Sequence, residues 1–358
     1  MPVAGTMLRA PAMAKPNRAK SIGIFVAKVA VAATLITWLV RSGMLRFGAL
    51  SIFLERPILL VADLGLFAFA LTTGTMRWRV LLGLAGAHVP FWRAVQLQLT
   101  ALFFNTVVPG NVGGDVVKAL YVARDEDPSK RTTILLIVFV ERLVGLGALV
   151  LVASMVAIVK GPLLWQNPQL RQLAMAVGFL GVCTLVGPAL FVLAMRRAGD
   201  RLETYTTGTT VIAKLANRLV AAARLLSAGP KSLLLALGYS MLAHAATIAF
   251  FTLLTRALLS EEVPFSSVAT VYPLGILTMI LPISPAGLGV GHVAFDRLFT
   301  MIGLHDGATV FNVYLIGILA PCLLGVFPYL ALRRRGELPE QAEQPPEQPP
   351  EQPEPVVR

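Results

Sequence analysis

The hydropathy of this chain alternates on a membrane scale. Six apolar runs, at 21–40, 58–76, 132–159, 173–195, 232–254 and 308–332, are separated by short polar stretches. Each is long enough to cross roughly 30 Å of hydrocarbon as a helix. Two further apolar regions, 94–123 and 266–302, are also long but are interrupted. The first is broken by Asn105-Thr-Val-Val-Pro-Gly-Asn-Val-Gly-Gly-Asp115, the second by Leu281-Pro-Ile-Ser-Pro-Ala-Gly-Leu-Gly-Val-Gly-His292. Neither segment can continue a lipid-facing helix. A backbone broken at membrane depth must be buried in protein or line a wet cavity, because unpaired amides in hydrocarbon cost several kcal/mol each. Two Gly/Pro breaks in corresponding halves of a membrane chain are a sequence pointer to a transporter's binding site.

Composition agrees with this pattern and excludes a soluble domain. The chain is 56% hydrophobic and 14% charged, with a mean hydropathy of +0.73. Soluble domains carry about 25% charged residues. The net charge of +12 would suggest nucleic acid in a soluble protein. Here the basic residues fall in short polar stretches, so they read as topology signals and contacts for anionic headgroups. Cys183 and Cys322 lie in apolar runs and read as packing residues; no disulfide, metal or cofactor is expected. The first apolar run lacks a convincing small-residue cleavage site and reads as a retained helix. Residues 1–20, basic and rich in Pro and Ala, and the tail 336–358, with its Pro/Glu/Gln repeats, are expected to be disordered.

The basic residues then set an orientation. Segments 1–20, 77–93, 124–131, 196–231 and 333–335 hold twenty Lys and Arg, whereas 41–56, 160–172, 255–265 and 303–307 hold six. The richer set is expected to be cytoplasmic, with both termini on that side. This alternation works if each broken region enters and leaves on one side of the bilayer. The predicted fold class is an all-α polytopic membrane protein: an inverted repeat of span, re-entrant broken hairpin, span, with 58–159 repeated as 232–332 and residues 21–335 forming one domain. Between the halves, 211–226 places Ile212, Leu215, Leu219, Ala223 and Leu226 opposite Lys214, Asn217, Arg218 and Arg224. That pattern fits a helix lying on the anionic leaflet or a linker helix packed on the protein. The motif Arg77-Trp-Arg79 reads as an interface anchor closing the second run.

Candidate chemistry gathers at the first break. Asp115 and Lys118 share a helix face just after Gly113 and Gly114. Asp115 alone would serve as an N-terminal cap. With the freed amides of Gly110, Gly113 and Gly114 and the ammonium of Lys118, the segment could instead hold a phosphate-bearing headgroup, Asn105 completing it. Glu141 and Arg142 lie inside a span, where ionisable residues are costly and face a partner or a cavity. Being adjacent, they cannot pair with one another, so each requires another partner. They either face the Asp115–Lys118 site or lock two helices. After the second break, His292 and Asp296 are four apart and could hydrogen-bond or grip a headgroup. Ser284, between two prolines, reads as turn chemistry within that candidate lining rather than as a nucleophile.

In order along the chain, Arg77-Trp-Arg79 with Leu81-Leu82, Asn105, Pro109-Gly110, Gly113-Gly114-Asp115, Glu141-Arg142 and Leu281-Pro-Ile-Ser-Pro with Gly287-Leu-Gly289 resemble the flippase-like transmembrane region of lysylphosphatidylglycerol synthases. The likeness covers about residues 22–335. It departs at Gly291-His292, where the family usually has a basic residue and then Glu, and at Lys118, where Arg is common. The resemblance implies a bacterial inner-membrane protein that moves or handles a lipid with an anionic or glycosyl headgroup, and implies that Asn105, Pro109, Gly113, Gly114, Asp115, Glu141 and Arg142 occupy motif positions. The expected partners are a membrane phospholipid or a polyprenyl-linked lipid and a separately encoded transferase. Without an aminoacyl-transferase domain, lysyl transfer by this chain alone is not expected. Two other classes stay open: a membrane-embedded lipid-modifying enzyme, whose candidates would be Asp115, Glu141, His292 and Asp296, and a non-transporting partner of a synthase.

Overall fold

A computed structural model of the chain describes residues 47–107, 113–159, 168–197, 227, 229–279 and 289–334. Among these, all regular structure is helical. A short helical lead-in over Phe47–Ser51 and Ile52–Glu55 precedes α1, Pro57–Leu84. Then follow α2, Phe91–Val107, α3, Gly113–Asp125, α4, Pro128–Val159, and α5, Pro168–Arg197. The second half holds α6, Pro230–Leu259, α7, Phe265–Thr278, α8, Val290–Met301, α9, Gly307–Cys322, and, after a 3-10 turn at Leu323–Gly325, α10, Val326–Arg334.

Five stretches are long and apolar enough to cross a membrane: Pro57–Leu84, Pro128–Val159, Ala174–Ala194, Pro230–Leu259 and Gly307–Arg334. They coincide with the five expected runs after residue 47. The run at 21–40, the amphipathic segment 211–226, both termini and the candidate residues Gly110 and Ser284 lie outside the described residues. The broken regions each become two shorter helices. With 17 and 13 residues, α2 and α3 are about 26 and 20 Å long, and α7 and α8, with 14 and 12, are about 21 and 18 Å.

Helices α1 and α6 run antiparallel, since Arg77 meets Ser240 and Leu84 meets Gly229. Helix α2 lies beside α3, α3 beside α4, and α4 beside α5; α7 packs on α8 and α8 on α9. Close approach is built into the first pair. A Cβ on Gly114 would sit 1.9 Å from the carbonyl oxygen of Ala101, so no other residue lets α3 lie this close to α2. Apolar side chains such as Phe179, Val182, Leu185 and Leu190 are exposed on α5, as befits a helix facing acyl chains rather than water.

Two apolar cores hang from α1 and α6. One surrounds Trp78, Leu81 and Leu82 with Leu97, Tyr121, Ile134, Ile137 and Ala236. The other is aromatic: Phe251 packs on Tyr272, Phe295 and Tyr314 with ring centroids 5.1–5.3 Å apart, and Phe295 stacks on Phe311 at 4.7 Å.

One sequence expectation is corrected. Arg77-Trp-Arg79 does not close a span at the interface. The apolar residues Val80–Leu84 carry α1 about one and a half turns further, and Trp78 is fully buried. Arg79 alone reaches a connecting segment, donating to the carbonyl of Val89 at 2.9 Å. Without Arg77 the richer set of segments still holds nineteen basic residues against six.

Candidate functional site

The site assembles where three helices, α1, α3 and α4, bring charged side chains together inside the first core. Residue 141 is the fourteenth of the 32 in α4, about 20 Å from its start and far from either end. Its carboxylate accepts from Lys118 Nζ at 2.8 Å and from the Arg77 guanidinium at 2.9 Å. Arg142 points differently, as adjacent helix positions must. It donates from Nε to Asp115 Oδ2 at 2.9 Å and makes a second, shorter contact to the same oxygen through a terminal nitrogen. Asp115 lies in the first turn of α3, where the helix dipole favours a negative charge. Its other oxygen is 3.3 Å from Lys118 Nζ.

Lys118 ties the cluster together. An ammonium has three N–H groups, and three acceptors surround this one: Glu141, Asp115 and Gln98 Oε1 at 2.9 Å. Its nitrogen also lies 4.9 Å from the centre of the Trp78 ring, where the π face attracts a cation. Its side chain is 0% exposed. Arg77 is fixed by Glu141 and by Ser240 Oγ at 3.1 Å on α6, while His244, one turn further along α6, meets the carbonyl of Gly145 on α4 at 3.2 Å. The five ionic residues total three cations and two anions. The excess positive charge has its most accessible member in Arg142, whose side chain is 42% exposed.

The expected pairing therefore comes together. Asp115, Lys118, Glu141 and Arg142 form one connected network, and both Glu141 and Arg142 face the Asp115–Lys118 pair. Asn105 closes the helix junction, accepting from the Gly114 amide at 2.9 Å through Oδ1. This commits one of the amides expected to meet a headgroup. Gly113, at the start of α3, remains exposed. Lys118 likewise differs from expectation: its N–H groups are spent on the protein, so its charge positions the two carboxylates rather than meeting a ligand directly.

The second break supplies no matching network among the described residues. His292 is buried edge-on against Phe311, with ring centroids 5.0 Å apart, whereas Asp296 is exposed. No group of three or more metal-ligating side chains occurs among the described residues.

Sequence reasoning missed Arg77, Gln98, Ser240 and Asp63. Arg77 was hidden by its resemblance to an interface anchor, and the apolar residues after it were the available signal. Gln98 and Ser240 carry none beyond being polar within apolar helices. Asp63 carries a plain one, an acid in the middle of an apolar run.

No curated protein and no solved structure matches the chain. Residues 25–327 match a family model described as the lysylphosphatidylglycerol synthase TM region, and the match takes in both helix breaks, the ionic network, the first four long apolar stretches and most of the fifth. The chain is thus an integral, multi-pass membrane protein that belongs to the lysylphosphatidylglycerol synthase transmembrane-region family.

Proposed function

We propose that the chain carries the headgroup of an anionic lipid, or of a lipid-linked intermediate with a phosphate, between the leaflets of the bacterial inner membrane. The observation that supports this is the buried network with one positive charge in excess, built on and beside the half-length helix α3, with Arg142 as its most solvent-accessible cation. Moving a phosphate headgroup through hydrocarbon costs several kcal/mol or more of lost hydration. A preformed cation held at mid-span depth offsets part of that cost while the acyl chains stay in lipid. Arg142 and the exposed start of α3 at Gly113 supply donors of the kind that bind phosphate. Lys118, Glu141 and Arg77 hold that surface rigid. On this reading α2–α3 and α7–α8 are re-entrant hairpins of an inverted repeat, with the Lys- and Arg-rich segments and both termini in the cytoplasm.

The test is lipid movement in vesicles reconstituted with the full chain, read as protection of a fluorescent phosphatidylglycerol from a membrane-impermeant quencher. Arg142→Ala is expected to slow movement by about tenfold or more, the loss of a charge-assisted contact worth ~1.5–3 kcal/mol. Arg93→Ala, which opens an exposed pair with Asp125 at 2.6 Å, is expected to leave the rate unchanged. Equal rates for wild type and Arg142→Ala would refute the headgroup site.

A further inference from the structure

The ionic network leaves one intramembrane acid unused. Asp63 lies on α1, fourteen residues before Arg77, which puts the two on nearly the same helix face about 21 Å apart. Its side chain belongs to a residue only 3% exposed. Among the described residues it has no hydrogen bond and no ion pair. It stands at the edge of the aromatic core, where Leu59 and Leu66 of its own helix are buried with Phe251, Tyr272 and Tyr314. Its carboxyl rests against the backbone of Gly317 on α9: a Cβ there would meet Oδ1 at 2.9 Å and Oδ2 at 3.0 Å. Glycine is what leaves room for the acid.

Among the described residues, the groups around it offer no cation. From α9, Tyr314 lies within electrostatic reach, and its hydroxyl is 2.7 Å from that of Tyr272 on α7, both buried. On α6, Arg256 turns to the carbonyl of Val263 at 2.7 Å, and His244 is engaged with Gly145. Lys231 and Tyr239 belong to the half of α6 that faces the other end of α1. Glu141 and Arg142 of α4 are committed to the network, and Arg93 of α2 pairs with Asp125. Glu55 of the lead-in helix is exposed. A buried carboxylate costs several kcal/mol unless its charge is matched. Metal cations need a shell of several oxygens, which this aromatic surrounding lacks. A proton needs only the carboxyl oxygen it binds.

We propose that Asp63 is the proton-binding site of this membrane domain and that its protonation is coupled to headgroup movement. One proton adds to a carboxylate oxygen and later leaves it; no other bond is made or broken. Asp63 and Arg77 sit on one rigid helix, so a change of charge at Asp63 that shifts α1 against α9 also moves the guanidinium gripping Glu141. The hydroxyls of Tyr314 and Tyr272 lead from Asp63 to α7, and so toward the second helix break. The coupling half of this inference rests on the function proposed above; the proton site does not.

The experiment uses the full chain in vesicles of phosphatidylglycerol and phosphatidylcholine and takes two readings. Infrared difference spectra across a pH step are expected to contain a buried carboxyl C=O band that is lost in Asp63→Asn. A wild-type spectrum with no Asp63-dependent band overturns the proton site. Movement of fluorescent phosphatidylglycerol is then followed with and without an imposed pH gradient. The gradient is expected to change the wild-type rate several-fold and to leave Asp63→Asn unaffected, whereas an equal response in both overturns the coupling. If wild type moves no lipid under any gradient, the transport reading fails and the coupling falls with it, while the infrared band still decides the site. Gly317→Ala covers the case in which Asp63→Asn does not fold. Its methyl group presses on the carboxyl, so it is expected to shift the pH at which the band titrates, and an unmoved band overturns the assignment.

Discussion

The two ends of α1 bury polar groups in opposite ways. At Arg77 every carboxylate has a cation and Lys118 has an acceptor for each of its protons. At Asp63 a carboxyl on a residue only 3% exposed lies beside aromatic rings, with no cation paired to it among the described residues. An interlocked network resists change, because removing any one member leaves another buried charge short of a partner. A lone acid stores no such interdependence, and its charge can be turned on and off by one proton. The difference separates a part built to hold a shape from a part built to change state.

Lys118→Met should break the comparison most severely. It strands Glu141 and Asp115 with fewer cations than they were built around, and is expected to lower stability by about 3–5 kcal/mol, read by thermal unfolding in detergent. Gly114→Ala comes next, since a methyl group 1.9 Å from the Ala101 carbonyl must push α3 off α2 and distort the network from its edge. An overpacking loss of about 1–3 kcal/mol is expected, with Arg142-dependent lipid movement falling alongside. A double-mutant cycle between Asp115 and Arg142 should give a coupling of about 1 kcal/mol, smaller than a fully buried pair because the guanidinium is partly solvated. Tyr272→Phe removes one neutral hydrogen bond to Tyr314 and should cost about 0.5–1.5 kcal/mol. Asp63→Asn is the sharpest control: stability is expected to stay level or rise by up to about 1 kcal/mol, because no partner is lost. A fall as large as that of Lys118→Met would show that Asp63 has a structural partner after all and would erase the contrast.

Much of this was legible in the residues. Long apolar runs mark the helices because hydrocarbon admits nothing else, so the five long helices were readable in place, though α1 and α6 run five to eight residues beyond their expected ends. The charged members of the network stood out for the same reason: Asp115, Lys118, Glu141 and Arg142 are anomalies in apolar surroundings. Spacing even required Glu141 and Arg142 to seek separate partners. The neutral partners that complete the network were not readable. Nothing local says that Ser240, more than 160 residues away, meets Arg77, or that Gln98 completes the coordination of Lys118. Arg77 was misplaced because Arg-Trp-Arg is what an interface anchor looks like, and only Val80–Leu84 beyond it distinguishes the two. The likeness of the two breaks also promised more symmetry of chemistry than the described residues hold: at the second, His292 is buried against Phe311 while Asp296 is exposed.

The saturation of Lys118 has a consequence for biosynthesis. Helix α3 has 13 residues and cannot span the bilayer, and an ammonium at mid-depth without acceptors costs ~2.5–3.5 kcal/mol. Its principal acceptor, Glu141, is 23 positions further along the chain and leaves the ribosome later. Gln98 and Asp115 precede Lys118 in the chain and can receive it first, but the coordination of this amine is complete only once the following span has been made.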